Sequence, residues 1–127
     1  MINVSKRVKD QAAFLRDMVI FLQWIDDTQK WVVVTGDEYK RTPYQQAKHY
    51  KDGVSDTLES DHLDRRAWDL CFYYADTGIW VGNTDQSKRA LSTIGEKWKS
   101  MDKKNEWGGD FKMKNGKPDT PHFARTK

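Results

Sequence analysis

Ser60-Asp61-His62-Leu63-Asp64-Arg65-Arg66-Ala67-Trp68-Asp69-Leu70-Cys71-Phe72-Tyr73 is the stretch on which the fold of this chain turns. Its second half, Ala67 to Tyr73, is dense in residues that favour strands, yet it holds a carboxylate, Asp69, in its middle. Period-two alternation sets Ala67, Asp69 and Cys71 on one face and Trp68, Leu70 and Phe72 on the other. A carboxylate facing inward on an apolar strand is costly unless it is paired or bound to a metal, so Asp69 needs a partner.

Upstream, the polar stretch Val54 to Ser60 reads as a loop entered through Asp52-Gly53. Before it, Thr42-Pro43 opens a short helix over Tyr44 to Tyr50, because proline is tolerated in a first turn. Trp31-Val32-Val33-Val34-Thr35 is β-branched and stops at Gly36, the pattern of a short buried strand. From Ser5, a suitable N-cap, to about Asp27, apolar residues recur at three- and four-residue steps: Val8, Ala12, Leu15, Val19, Leu22 and Trp24/Ile25. That predicts an amphipathic helix with this stripe on the core.

Downstream, Asp85 to Met101 carries Ala90, Leu91, Ile94, Trp98 and Met101 at helical spacing and predicts a second amphipathic helix. Trp107 to Phe111 and Pro121 to Phe123 flank the turn-rich Lys114-Asn115-Gly116-Lys117-Pro118, a hairpin or a strand, loop, strand passage. The expected class is α+β, with N-terminal helices packed on a small antiparallel sheet.

A length of 127 residues suits one domain, 1–127, with one active site and no separate binding domain. Lys and Arg number 22 against 19 Asp and Glu, a net charge of +3 that is spread along the chain. Such a charge attracts anionic polymers or surfaces weakly and selects none of them. No element interleaves a basic cluster with aromatics, which argues against nucleic acid. Six Trp, five Tyr and five Phe supply an aromatic-rich core, and Trp24, Trp31, Trp68, Trp80 and Trp98 are assigned to it or its margin.

The single cysteine, Cys71, excludes an intramolecular disulfide and a Cys-rich zinc knuckle, and reads as a small buried thiol. Any metal site must then be built from histidines and carboxylates. The apolar N-terminal stretch is broken by Arg16, Asp17 and Gln23, and no run of about 18 apolar residues occurs. Neither a signal peptide nor a stable membrane association is expected, and a target outside the cytoplasm would need a separate means of delivery.

The histidines are His49, His62 and His122. An imidazole before a turn (His62), the inward carboxylate (Asp69) and a distant second imidazole (His122) can supply three metal ligands, leaving a fourth position for water. On spacing alone this stays open, since a lone histidine is more often a surface or satisfied core residue. His49, on the short helix, reads as a solvated side chain.

Ser60-Asp61-His62, then Ala67-Trp68-Asp69, then Trp107-Gly108-Gly109-Asp110-Phe111 and Asp119-Thr120-Pro121-His122-Phe123 follow one another in order. Together they closely resemble the LAS-type zinc peptidases, which include D-alanyl-D-alanine carboxypeptidases and the L-alanyl-D-glutamate endopeptidases of bacteriophage lysins. That pattern runs Ser-x-His, six residues, Asp, and later Asp/Glu-x-x-His-Phe, and the match covers about Gly36 to Phe123. Many members carry Gly where this chain has Arg65.

The resemblance implies a hedgehog/DD-peptidase-like fold, zinc held by His62, Asp69 and His122, and Asp119 as catalytic base. It also implies Arg41 as the cation that holds a substrate carbonyl or carboxylate. Gln46, five residues on, would orient the site; Ser60 either supports the metal ligands or is a turn residue, and Trp107 either lines the substrate groove with the glycines after it or is a core tryptophan. The implied activity is cleavage of peptidoglycan stem peptides, foremost as an L-alanyl-D-glutamate endopeptidase in phage lysis. The protein would be a monomer, made in the host cytoplasm and acting at the cell wall after release. A D-alanyl-D-alanine carboxypeptidase, or a non-catalytic wall-binding or phage structural module on the same fold, are the alternatives; retention of Asp119 argues against the last.

Overall fold

The computed structural model describes residues 4–37, 43–52 and 64–127. Ser5 caps the first helix, α1 (Lys6–Thr28), its hydroxyl oxygen accepting the Val8 amide. The predicted stripe of α1 reaches the core only at its C-terminal end, where Ile25 is buried and Leu22 and Trp24 pack against it; over the first turns another stripe is buried. Phe14, Met18, Phe21 and Ile25 are at most 1% exposed, whereas Val8, Leu15 and Val19 remain 48%, 47% and 63% exposed. Two apolar stripes compete on this helix, and the one carrying two phenylalanines and a methionine removes more area from water, so it wins the core.

Strand β1 (Val32–Gly36) follows, then α2 (Pro43–Lys51), β2 (Ala67–Tyr74), α3 (Asp85–Ala90), α4 (Ser92–Met101), β3 (Asn105–Trp107) and β4 (His122–Arg125). The sheet runs β1-β2-β4-β3 and every pairing is antiparallel. The fold is thus α+β, helices on a small antiparallel sheet. β1 is an edge strand instead of a buried one: Val32 is 8% exposed and Val33 54%. The predicted tail arrangement is present, β3 pairing with β4 across an intervening 3-10 turn at Gly108–Asp110 and a loop.

The single helix expected over Asp85 to Met101 is two. α3 stops at Leu91 (φ −92°, ψ 3°), and the Ser92 hydroxyl bonds the Arg89 carbonyl at 2.9 Å, competing with the helical ladder. Leu91, Ile94 and Trp98 are buried in the core, while Ala90, the last residue of α3, is exposed. α4 then lies close on the sheet, because a Cβ on Gly95 would stand 2.1 Å from the Trp107 ring.

Aromatic rings fill the interior. Phe123 on β4 meets Phe21, Phe72, Trp98 and Trp107 at centroid distances of 5.2, 6.0, 6.2 and 6.4 Å. The Trp98 indole N–H is shared between the Glu106 and Ala124 carbonyls, both at 3.1 Å, which satisfies its one donor inside the core. Of the other tryptophans assigned to the core or its margin, Trp24 and Trp68 pack against it, while Trp31 and Trp80 are 36% and 49% exposed.

Ion pairs fix α1 to the sheet at two places. Asp10, buried on the α1 core stripe, contacts Lys6 (2.7 Å) and Arg125 (3.4 Å), and Arg125 contacts Asp102 (3.0 Å). Asp64 pairs with Arg7 and with the buried Arg66 (2.9 Å), and its carbonyl accepts Gln11 at 3.0 Å. No helix among the described residues is long and apolar enough to cross a membrane.

Candidate active site

Asp69 and His122 stand directly opposite each other where β2 pairs with β4. Directly opposed residues of an antiparallel pair point to the same side of the sheet, so Asp69, which faces away from the aromatic core rather than into it, finds its partner across the strand. His122 Nδ1 lies 3.8 Å from Asp69 Oδ1. Leu70 and Phe72 turn to the core on the other face.

Burial of the His122 imidazole works against its charged form. A hydrogen bond to Asp69 and the charges of Asp119, Asp69 and Glu106 together outweigh burial and raise its pKa above the ordinary 6.5. Negative charge therefore converges on this ring from β2, from β3 and from the turn before β4. The Phe111 ring, 5.5 Å from the imidazole, forms part of the ring's apolar surround.

Asp119 precedes His122 by three residues, and the turn between them is held from several sides. The Asp119 amide donates to the Gly108 carbonyl (2.8 Å) and the His122 amide to the Asp119 carbonyl (3.1 Å). Thr120 donates its amide to Asn83 Oδ1 (2.8 Å) and its hydroxyl to the Gly82 carbonyl (3.0 Å), while its own carbonyl accepts the Trp107 indole N–H (2.9 Å). Leu70 N–H bonds the Pro121 carbonyl at 2.8 Å, tying the turn to β2.

Gly108 is required here by space: a Cβ would lie 2.2 Å from the Asp119 carbonyl oxygen and 2.7 Å from the His122 Cβ. The close approach that these glycines permit is thus to the Asp119 turn, and at Gly109 to the Trp107 ring, where a Cβ would stand 2.3 Å away. Trp107 itself is 1% exposed. It supports the turn from within the core and does not line a groove.

Gln46 is the buried side chain of α2 and is fully enclosed. His49, one turn later, is half-buried rather than solvated. Among the described residues none of α2's side chains joins the hydrophobic core, and Gln46 and His49, which turn inward, are polar. Lys114 Nζ sits 4.6 Å from the centre of the Tyr50 ring, so the 112–118 loop lies against this helix. Cys71, two residues along β2 from Asp69, is a free, half-buried thiol. Burial, then Asp37 and Asp69, push its pKa up and keep it protonated.

His62, Arg41 and Ser60 lie outside the described residues. The described chain resumes two residues after His62, at Asp64, which Arg7, Arg66 and Gln11 clamp to α1 and the sheet. Arg65, where the resemblance often places Gly, has φ 54°. That is left-handed backbone, which glycine adopts without cost and arginine does not.

Among the described residues no group of three His, Cys, Asp or Glu side chains forms a metal cluster. The described pair still fits zinc. Tetrahedral zinc bonds of about 2.0–2.2 Å place two ligand atoms roughly 3.3–3.6 Å apart, near the 3.8 Å between Asp69 Oδ1 and His122 Nδ1. An imidazole and a carboxylate also form a donor set that zinc takes.

Sequence reasoning missed Asn83, Thr120 and Glu106. Thr120 carried a signal, since it sits between Asp119 and His122. Asn83 carried none, being 36 positions before Asp119. Glu106 shares the site's face because it pairs with Ala124 in the β3/β4 register, and pairing is invisible in one sequence.

No protein-family profile matches the chain, and no curated protein matches it. Among solved structures, an L-Ala D-Glu endopeptidase of Serratia marcescens, ChiX, is similar with a TM-score of 0.64 at 22% identity, over 98% of this chain and 90% of that one. The likeness establishes a shared fold over almost the whole chain.

Proposed function

We propose that this chain is a zinc-dependent peptidase that cuts the stem peptides of bacterial peptidoglycan, at the bond between L-alanine and D-glutamate. The observation that carries the reading is the cross-strand pair of Asp69 and His122, with Asp119 fixed three residues away by the Gly108 carbonyl. The fold shared with an endopeptidase of that specificity supports this bond over the D-alanyl-D-alanine alternative. The resemblance to phage lysins supports host lysis as the setting, with the protein acting at the cell wall.

His62, Asp69 and His122 would hold the ion. When bound, it supplies a Lewis acid and lowers the pKa of a coordinated water toward about 7. Asp119, half-buried at the end of a rigid turn, accepts the proton of the attacking water and returns it to the leaving amine. The Thr120 contacts with Asn83, Gly82 and Trp107 hold the backbone that carries this carboxylate, so it needs no rearrangement to act. Arg41 would anchor the peptide carbonyl or a substrate carboxylate by its planar fork of donors, and Gln46 would order the adjoining wall.

The test is mass spectrometry of fragments released from purified peptidoglycan by zinc-loaded protein, chelator-treated protein and Asp119→Asn. Cleavage between L-alanine and D-glutamate is expected with zinc alone, and Asp119→Asn should lower its rate by about 10²–10⁴-fold while the protein stays folded. Release of D-alanine instead would move the protein to the carboxypeptidase class. Intact wall from all three, with zinc bound, would leave a wall-binding module.

A further inference from the structure

The face of the sheet that carries Asp69 and His122 does not end at the site. Alternation along β2 puts Asp69, Cys71 and Tyr73 on that face, and all three are half-buried while Leu70 and Phe72 are buried beneath. Tyr73 lies about 13 Å from Asp69, at a rise of about 3.3 Å per residue. It is flanked on both sides. Val33 of β1 is its partner in the β1/β2 register, and Trp80, from the segment after the turn, bridges to it from the opposite edge.

Directly paired residues share a face, so Val33, Tyr73 and Trp80 form a row across β1, β2 and the segment bridged to β2 at Trp80. Val33 is 54% and Trp80 49% exposed. The three side chains stand next to one another instead of being scattered singly, and contiguous exposed apolar surface marks a binding site. The row is continuous with the candidate site and carries no charge.

We infer that Val33, Tyr73 and Trp80 form a subsite for an N-acetylhexosamine ring of the glycan strand, next to the peptide cleft. The inference rests on the peptidoglycan reading above and extends it from the stem peptide to the sugar that bears it. A stem peptide is rich in carboxylates and would call for cations, which this row lacks. A pyranose ring instead offers a face of C–H groups whose slight positive charge meets the negative face of an aromatic ring, and its acetyl methyl is apolar. The Tyr73 hydroxyl supplies a donor and acceptor for the sugar's edge. An extended substrate lying along β2 reaches both places, the amide at Asp69 and His122 and the sugar at Trp80.

The experiment has a binding arm and a kinetic arm. In the first, a soluble tetramer of N-acetylglucosamine is titrated into zinc-loaded protein while the Trp80 indole N–H resonance is followed. A saturable shift is expected, and the affinity for the tetramer, read by calorimetry in parent and variants alike, should fall at least tenfold in Trp80→Ala and recover in part in Trp80→Phe. In the second, kcat/KM is measured on stem peptides still attached to glycan and on free stem peptides. Trp80→Ala should lose about tenfold on the attached substrate and nothing on the free one, and Trp80→Phe should recover most of that loss.

An unmoved indole resonance, or an equal loss on both substrates, would overturn the subsite and leave the peptidase standing. A sugar-dependent shift in a protein that cuts neither substrate would sink the peptidase reading and keep the subsite.

Discussion

At the scale of single residues, the site depends on groups that do no chemistry. Gly108 illustrates this: its missing side chain is the space in which the Asp119 carbonyl and the His122 Cβ sit. Arg65 is the opposite case, an L-residue at φ 54°. Its neighbours explain why the strain is held, since Asp64 and Arg66 are both clamped and the turn between them has no freedom to relax. Left-handed backbone costs a side-chain-bearing residue roughly 1–2 kcal/mol, part of which glycine returns through its freer unfolded chain. Arg65→Gly should therefore raise stability by about 0.5–1 kcal/mol, read as a higher urea midpoint at unchanged slope. A lower midpoint would mean that the Arg65 side chain stabilises the fold through contacts that outweigh the strain.

At the scale of elements, α1 shows two apolar stripes and a choice between them. Phe21 is fully buried against Trp98 and Phe123, whereas Val19 is 63% exposed. Phe21→Ala should cost about 3–5 kcal/mol, and Val19→Ser should stay within about 0.5 kcal/mol of the parent. Chemical denaturation of both variants checks the assignment; comparable losses would restore the face that the Val/Leu spacing predicts. The split of α3 and α4 falls where the Ser92 hydroxyl takes the Arg89 carbonyl, and α4 then presents Leu91, Ile94 and Gly95 on one face to the core and Trp107.

At the scale of the whole molecule, charge decides the dependence on pH. His122 has a raised pKa in the folded, metal-free chain. Its contribution is complete below the ordinary 6.5 and is lost as pH rises through the folded value. Three carboxylates behave oppositely. For Asp10 the Lys6 contact lowers the pKa most; for Asp102 it is the Lys104 amide; for Asp64 burial opposes, but Arg7 and Arg66 prevail. Their contributions hold above the ordinary 3.8 and disappear as pH falls through the lowered values.

Chelator-treated protein should thus melt highest in mildly acidic buffer, between those two ordinary values. Zinc requires neutral His122, so the melting shift that zinc produces should grow as pH rises. Melting curves from about pH 3 to 9, with chelator and with zinc, test both. Metal-free stability that climbs steadily from pH 6 to 8 would contradict the charge pattern around His122.

The sequence alone determined the α+β class and most of the elements. The β-branched and aromatic run from Ala67 required a strand, and Ser5 and the apolar period required α1, because local propensity and spacing are properties of neighbours in the chain; the candidate groups Asp69, Asp119 and His122 came from the order of motifs that the family resemblance supplies. Only the tertiary structure decided which stripe of α1 faces the core, that β1 is an edge, that Trp107 is a buried support, and that Glu106 and Asn83 stand beside the site. Those outcomes depend on which surfaces compete for the same interior and on which strands pair, and both are settled between residues far apart in the chain.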